Sequence, residues 1–362
     1  MNFSKTKTNF PGWLVLPALA VLTFVLTELA ARNSVWVENV YTQKFYPVIA
    51  SGLSAVSSLV PFSLADMFYV LLMVLPLVLF LLIGFKNMKW KTAGKIVMNT
   101  LAGVYISFYL LWGFNYYRSD VNQRLGLITQ QPDSAEFLKV VEHLANQLNT
   151  SYAEFDNFDK KTADSLVEVS YRELAPLLKI HYPAGKRPDK NITFSRFFAG
   201  AGISGYYGPF FNEIHVNKNL LPVEYPFILA HEKAHQFGVT SEAEASFYAW
   251  LVCTNSPSEH LRYSADLYVF RYFLYHGRYL EQLSGITSEL DDRVKADFQK
   301  IREHWMELRN EKIDHAASKM NDAYLKTNKV EKGIEDYHGV VKHVMDFSLD
   351  SAFQQKWNLN SE

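Results

Sequence analysis

Phe227-Ile-Leu-Ala-His-Glu-Lys-Ala-His-Gln-Phe237 is the stretch on which the reading of this chain turns. Ile228, Leu229, Ala230, Ala234 and Phe237 suit a buried helix, and Gly238 follows as a residue that readily ends one. Four residues make slightly more than one helical turn, so His231 and His235 project from one face and can both hold one tetrahedral ion. Glu232, beside the first of them, is placed to take a proton from water activated at that ion. With two His and one Glu fixed, accidental occurrence in a chain of this size is on the order of 1%. His231 to His235 is therefore read as the core of a Zn2+ site.

The third ligand has to come from elsewhere. A short turn leads to Ser241-Glu-Ala-Glu-Ala-Ser-Phe-Tyr-Ala-Trp-Leu251. Ser241 and Glu244 have capping-box spacing, with Ser241 capping a new helix and Glu244 reaching back to its backbone. Glu242 has no such task and is the expected metal ligand, with Glu244 as the alternative. The metzincin motif, which also opens His-Glu-x-x-His-x-x-Gly, would put the ligand at Ser241, a poor donor for zinc. Hydrolysis further needs a donor for the developing oxyanion. Arg262, Tyr263, Arg271, Tyr272 and His276 are in sequence range, and Tyr272 is singled out as catalytic beside Glu232. His215, on a predicted strand, is a candidate for the cleft edge, where an extended peptide can add as a strand.

Composition sets the frame. The 362 residues are 49% hydrophobic, and 36 basic residues nearly balance 37 acidic ones, so no global field favours nucleic acid. A single cysteine, Cys253, excludes a disulfide framework within the chain and is read as a small core residue. Apolar runs at about 11–31, 67–85 and 96–114 are each close to the roughly 20 residues that cross a bilayer. The first is longer than a signal-peptide core and lacks a cleavage site before Arg32, which makes it an uncleaved anchor. Lys5, Lys7, Lys86, Lys89, Lys91 and Lys95 cluster at what should be cytoplasmic ends. That reading puts 33–66 and everything after Phe114 outside the cytoplasmic (inner) membrane, with Val48 to Val60 lying along its surface.

The expected fold is α+β and mainly helical: a membrane region over 1–115, then an extracytoplasmic zincin-like domain over 116–362 with a small sheet. Ser134 to Leu148 and Thr162 to Leu178 have helical periodicity. Asn191 to Phe197 and Asn212 to Asn217 read as strands, separated by a glycine-rich bend from Gly200 to Gly208.

Glu242-Ala-Glu-Ala-Ser246 resembles the Glu-x-x-Ala-Asp/Asn pattern after the zinc helix of membrane-bound gluzincin peptidases of the CAAX-protease type. The resemblance implies Glu242 as ligand and Ser246 as the residue supporting a ligand, although Ser stands where Asp or Asn is usual and the interval from His235 is shorter. Over nearly its full length the chain resembles an uncharacterised bacterial family (a domain of unknown function) of three-span membrane proteins with this motif. The matching segments are Trp112-Gly-Phe-Asn-Tyr-Tyr-Arg118, Pro209-Phe-Phe-Asn-Glu213, His231 to Gly238 and Asn321-Asp-Ala-Tyr-Leu-Lys326. The functional expectation is a membrane-anchored zinc metallopeptidase acting on peptides or membrane-proximal proteins. The alternatives are a zinc-dependent amidase or lipid-modifying hydrolase, and a non-catalytic zinc-binding membrane protein; the oligomeric state is unknown.

Overall fold

The structure, a computed structural model, describes residues 11–183 and 185–357. Lys5 and Lys7 lie outside the described residues. Three helices, Gly12–Ala31, Leu64–Gly84 and Trp90–Leu111, are long and apolar enough to cross a membrane. The second begins three residues earlier than its apolar run because Ser63 caps it, accepting the amide of Asp66 at 2.8 Å. The third begins at Trp90 and gives way after Leu111 to a 3-10 turn, Gly113–Tyr117, so Phe114 is not part of it.

Between the first two of these runs the helix Tyr46–Ser57, here the surface helix, buries Tyr46, Ala50, Ser54 and Ser57. That spacing marks one helical face, turned onto the rest of the protein. Its other face, with Val48 and Val56, is exposed.

The remainder is mainly helical around a three-stranded sheet: β1 (Lys190–Asn191), β2 (Gly205–Gly208) and β3 (Glu213–Val216), in the order β1-β3-β2. β1 runs parallel to β3 and β2 antiparallel to it, with Tyr206 opposite His215. Two expectations are corrected. The run from Asn191 to Phe197 is strand only at its first residue, and Ser195–Gly200 is helical. The chain peels away because the amide and hydroxyl of Thr193 bind the Asp66 carboxylate at the start of the second apolar helix. Conversely, part of the predicted glycine-rich bend is β2. Gly205 suits that position because a Cβ there would lie 2.7 Å from Glu232 Oε1.

Helices Ser134–Thr150 and Lys160–Leu178 form where periodicity placed them, started by the Asp133 and Asp159 caps. The first packs against Glu259–His276, and the second against the helix Tyr225–Gln236, here the metal helix, every residue of which is buried. Next to it run Glu242–Thr254, the carboxylate helix, and Glu259–His276.

Composition changes near residue 115, but the two parts interlock. The Glu213 carboxylate on β3 accepts the amides of Leu64 (3.2 Å) and Ala65 (2.9 Å), so a sheet residue caps an apolar helix. Lys190 Nζ meets the same carboxylate at 2.5 Å and donates to the Ser57 and Phe62 carbonyls, both at 2.8 Å. Glu213→Ala should therefore cost about 3–5 kcal/mol, because it removes the cap and strands a buried ammonium. Thermal unfolding in detergent checks this against Asp292→Ala, which removes an exposed pair with Lys295 and should move stability by less than about 1 kcal/mol.

Candidate metal centre

The metal helix starts with Pro226 in its first turn, where a missing amide costs nothing. It ends at Gly238, whose φ of +83° few other residues adopt; a Cβ there would also meet Tyr46 Cε1 at 3.0 Å. On the cleft face, His231 Nε2 lies 3.0 Å from Glu242 Oε2 and 3.2 Å from His235 Nε2, and His235 Nε2 lies 3.3 Å from the same carboxylate oxygen. Zinc bonds of about 2.0–2.1 Å in a tetrahedron set donors about 3.3 Å apart. The triangle is the size of one face of that tetrahedron, and no other group of three His, Cys, Asp or Glu among the described residues comes together this way.

The far nitrogens of both rings are engaged. His231 Nδ1 faces Ser246 Oγ at 3.1 Å, and His235 Nδ1 faces the Val239 carbonyl at 2.7 Å. With Nδ1–H donated outward, each Nε2 keeps its lone pair for an ion. Burial pulls both rings down; it prevails at His231, whereas at His235 the Glu242 and Glu232 carboxylates and the Val239 carbonyl together exceed it and lift the ring to about 9. Glu232 is buried, lines the same cleft, and has one carboxylate oxygen without a hydrogen-bond partner. Burial raises its pKa to about 8. The donor set and the spare buried carboxylate fit a divalent metal.

Glu242 and Glu244 separate cleanly. Glu244 points away from the triangle, pairing with Arg124 Nη2 at 2.8 Å and accepting the Val121 amide at 3.1 Å. This corrects the capping-box expectation: Ser241 does accept the Glu244 amide at 3.3 Å, but the Glu244 side chain does not return to it. Asp336 completes the cap in another way, accepting Ser241 Oγ (2.8 Å) and the Glu242 amide (3.0 Å). The carboxylate helix starts at Glu242 because a distant residue completes its cap.

The cleft is a cavity of about 890 Å³. Gly205, Tyr206 and Tyr207 of the edge strand β2 form one wall. Another part of the lining is the helix Glu311–Thr327, the cover helix, presenting Asp314, Ala317, Ser318, Asn321 and Tyr324 from one face. Of the oxyanion candidates, Tyr272 and Arg271 line the cleft. Tyr263 instead bonds Asp297, Arg262 bonds the Ser256 carbonyl, and His276 lines a different hollow. His215 is not at the cleft edge: it is fully buried, with Nε2 2.7 Å from Ser63 Oγ and its ring stacked on Tyr206. Tyr337, in the 3-10 turn Gly333–Gly339, lies beside Glu242, Glu232 and Asn321, and sequence reasoning missed it. Nothing local marks that residue; the Asp336 cap carries it there.

The opposite side of the metal helix holds Lys233, which has no exposed surface. Its ammonium meets Glu168 at 2.5 Å, Asp164 at 2.9 Å and the Arg187 carbonyl at 3.0 Å. Burial raises the Glu168 carboxyl, but Lys233 and Arg187 outweigh it and hold the group at about 2. A carboxyl depressed on folding contributes stability that is complete above its ordinary value near 4.5 and is lost as pH falls towards 2. Urea unfolding should show Glu168→Gln weakened at neutral pH yet less sensitive than wild type between pH 5 and pH 2.5.

Chelator competition for an added divalent metal should rank Ser246, Glu242 and Glu244. Ser246→Ala should weaken affinity by about 10–100-fold, Glu242→Ala by more, and Glu244→Gln should leave it unchanged while lowering stability.

No curated protein and no solved structure matches the sequence. Residues 41–345, most of the chain and including every residue of the His-His-Glu triangle, match the family described as Protein of unknown function (DUF3810), and the chain belongs to that family.

Proposed function

We propose that the chain is a membrane-anchored, zinc-dependent metallopeptidase with a zincin-like catalytic domain. The observation that carries this reading is the His231–His235–Glu242 triangle with the unpartnered Glu232 oxygen in the same cleft. A site that only braced a fold would have no use for a free carboxylate beside its ligands. Bound by His231, His235 and Glu242, zinc would acidify water and polarise the carbonyl under attack.

Glu232 takes the proton of the attacking water, whose oxygen bonds the carbonyl carbon. As the C–N bond breaks, Glu232 returns that proton to the leaving nitrogen. Tyr337 and Tyr272 both line the cleft, and Tyr337 is the better placed to donate to the carbonyl oxygen, since its hydroxyl lies by Glu242 and Glu232. The antiparallel edge strand β2 gives an extended peptide a backbone to pair with.

Orientation follows from charge. The second and third apolar helices are joined by a turn carrying Lys86 and Lys89, while β3 and the metal helix meet their other ends, His215 at Ser63 and His235 at Trp112. With lysines on the cytoplasmic side, the catalytic domain faces away from the cytosol across the cytoplasmic membrane.

Glu232→Gln should retain Zn2+ and lose about 10²–10⁴-fold in kcat/KM on a quenched-fluorescent peptide pool. Full hydrolysis by the zinc-loaded variant would end this reading. Tyr337→Phe should cost about 10²–10³-fold, mostly in kcat, and Tyr272→Phe less.

A further inference from the structure

The surface helix has two faces with different neighbours. The inner one supports the metal centre: Tyr46 Oη donates to the Gln236 carbonyl at 2.8 Å, and Asn212 Nδ2 donates to the Ala50 carbonyl at 3.0 Å. The outer one is apolar and open. Val48 on that face is 73% exposed and Val56 is exposed beside it, and Phe45, Leu59 (80% exposed) and Phe62 carry the patch beyond the ends of the helix. This segment lies between the first two apolar helices, after Ser34–Trp36 and Val37–Phe45 and shortly before the Ser63 cap of the second, so its open apolar face is continuous along the chain with the segments that would face lipid. Lipid is the occupant that this continuity selects.

The other apolar helices reach the same site. Trp112, the first residue after the third, donates its indole N–H to the His235 carbonyl at 2.9 Å and lines the cleft. Asp66, in the first turn of the second, accepts the hydroxyl of the cleft residue Tyr206. The cover helix is tied down as well: Tyr109 donates to Asn328 at 3.1 Å and Lys329 pairs with Glu28 at 2.9 Å, just beyond that helix. The cleft and the cover helix that lines it are therefore tied to the ends of all three helices.

We propose that the cleft acts on polypeptides anchored in the same bilayer, cutting a peptide bond a few residues outside it. The proposal rests on the metallopeptidase reading and names its substrate class. With the open face of the surface helix on lipid and Tyr46 at the end of the metal helix, the width of that helix, about 10 Å, sets the metal helix back from the bilayer, and a headgroup layer adds roughly 5–8 Å. An extended chain covers about 3.3–3.6 Å per residue, so a bond about five residues beyond the hydrocarbon edge reaches the ligands. A substrate tethered in the same membrane also meets the cleft at high effective concentration, an advantage a free peptide lacks.

The test uses the full chain, loaded with Zn2+, in phosphatidylcholine–phosphatidylglycerol vesicles. A 20-residue randomised peptide pool is offered with and without an N-terminal palmitoyl group, and cuts are mapped by mass spectrometry. The acylated pool should be cleaved at least tenfold faster, with cuts clustered about three to eight residues from the acylated end. Equal rates, or cuts spread evenly along the pool, would overturn the proposal. Height is read separately, without activity. A nitrobenzoxadiazole label on Val48→Cys should be quenched by shallow spin-labelled lipid, whereas a label on exposed Asp292→Cys should not; equal quenching at both sites would also overturn it. If neither pool is cleaved by zinc-loaded protein whose Val48→Cys label is quenched, the hydrolase reading fails and the substrate class goes with it.

Discussion

The metal helix is buried on every side, yet it carries His231, Glu232, Lys233, His235 and Gln236 in succession apart from Ala234. Polar and charged groups taken out of water must find partners inside the protein or destabilise it. Much of the architecture can be understood as the supply of those partners. Lys233 is met by Glu168 and Asp164 from the helix behind it. Gln236 donates to the Asn212 carbonyl at 2.6 Å, and the helix's terminal carbonyls receive Tyr46 and Trp112. Two of its side-chain oxygens stay unpartnered, Glu232 Oε2 and Gln236 Oε1, and of these two residues Glu232 is the one that lines the cleft.

Where those partners originate ties the site to the membrane segments. Trp112, Asn115 and Arg118 wrap the C-terminal end of the metal helix, with Arg118 donating to the Gly238 carbonyl at 2.8 Å and pairing with Glu38 at 2.7 Å. Asn212 links the metal helix to the surface helix, and Glu213 caps the second apolar helix. A shift of the apolar helices would unpair buried groups around the ligands, so anchor and site behave as one polar network.

The resemblance segments gain a physical meaning here. Trp112 to Arg118 holds the end of the metal helix, Pro209 to Glu213 joins sheet, surface helix and apolar helix, and Asn321 to Lys326 forms part of the cleft wall. Two misreadings share one cause. Thr193 and Glu244 each had a good local role, in a strand and in a capping box, and each was claimed by a partner far away in sequence, Asp66 and Arg124. Short polar side chains follow the strongest available acceptor or cation, and its position is not a local property.

Helical periodicity, run length and the four-residue spacing of His231 and His235 are local, and they determined the helices, the three apolar segments and two corners of the metal triangle. Glu242 was legible for the same reason, being near in sequence and without a local task. The cleft was decided elsewhere. Its edge strand hides in a glycine-rich stretch, because Gly205 is required by the Glu232 side chain opposite and not by its own neighbours. Tyr337 is brought to the cleft by a contact spanning about a hundred residues, and the end of the cover helix is held by one, Lys329 to Glu28, spanning some three hundred. Spacing along a chain fixes which side chains share a helix face; which faces meet depends on burying all of them together.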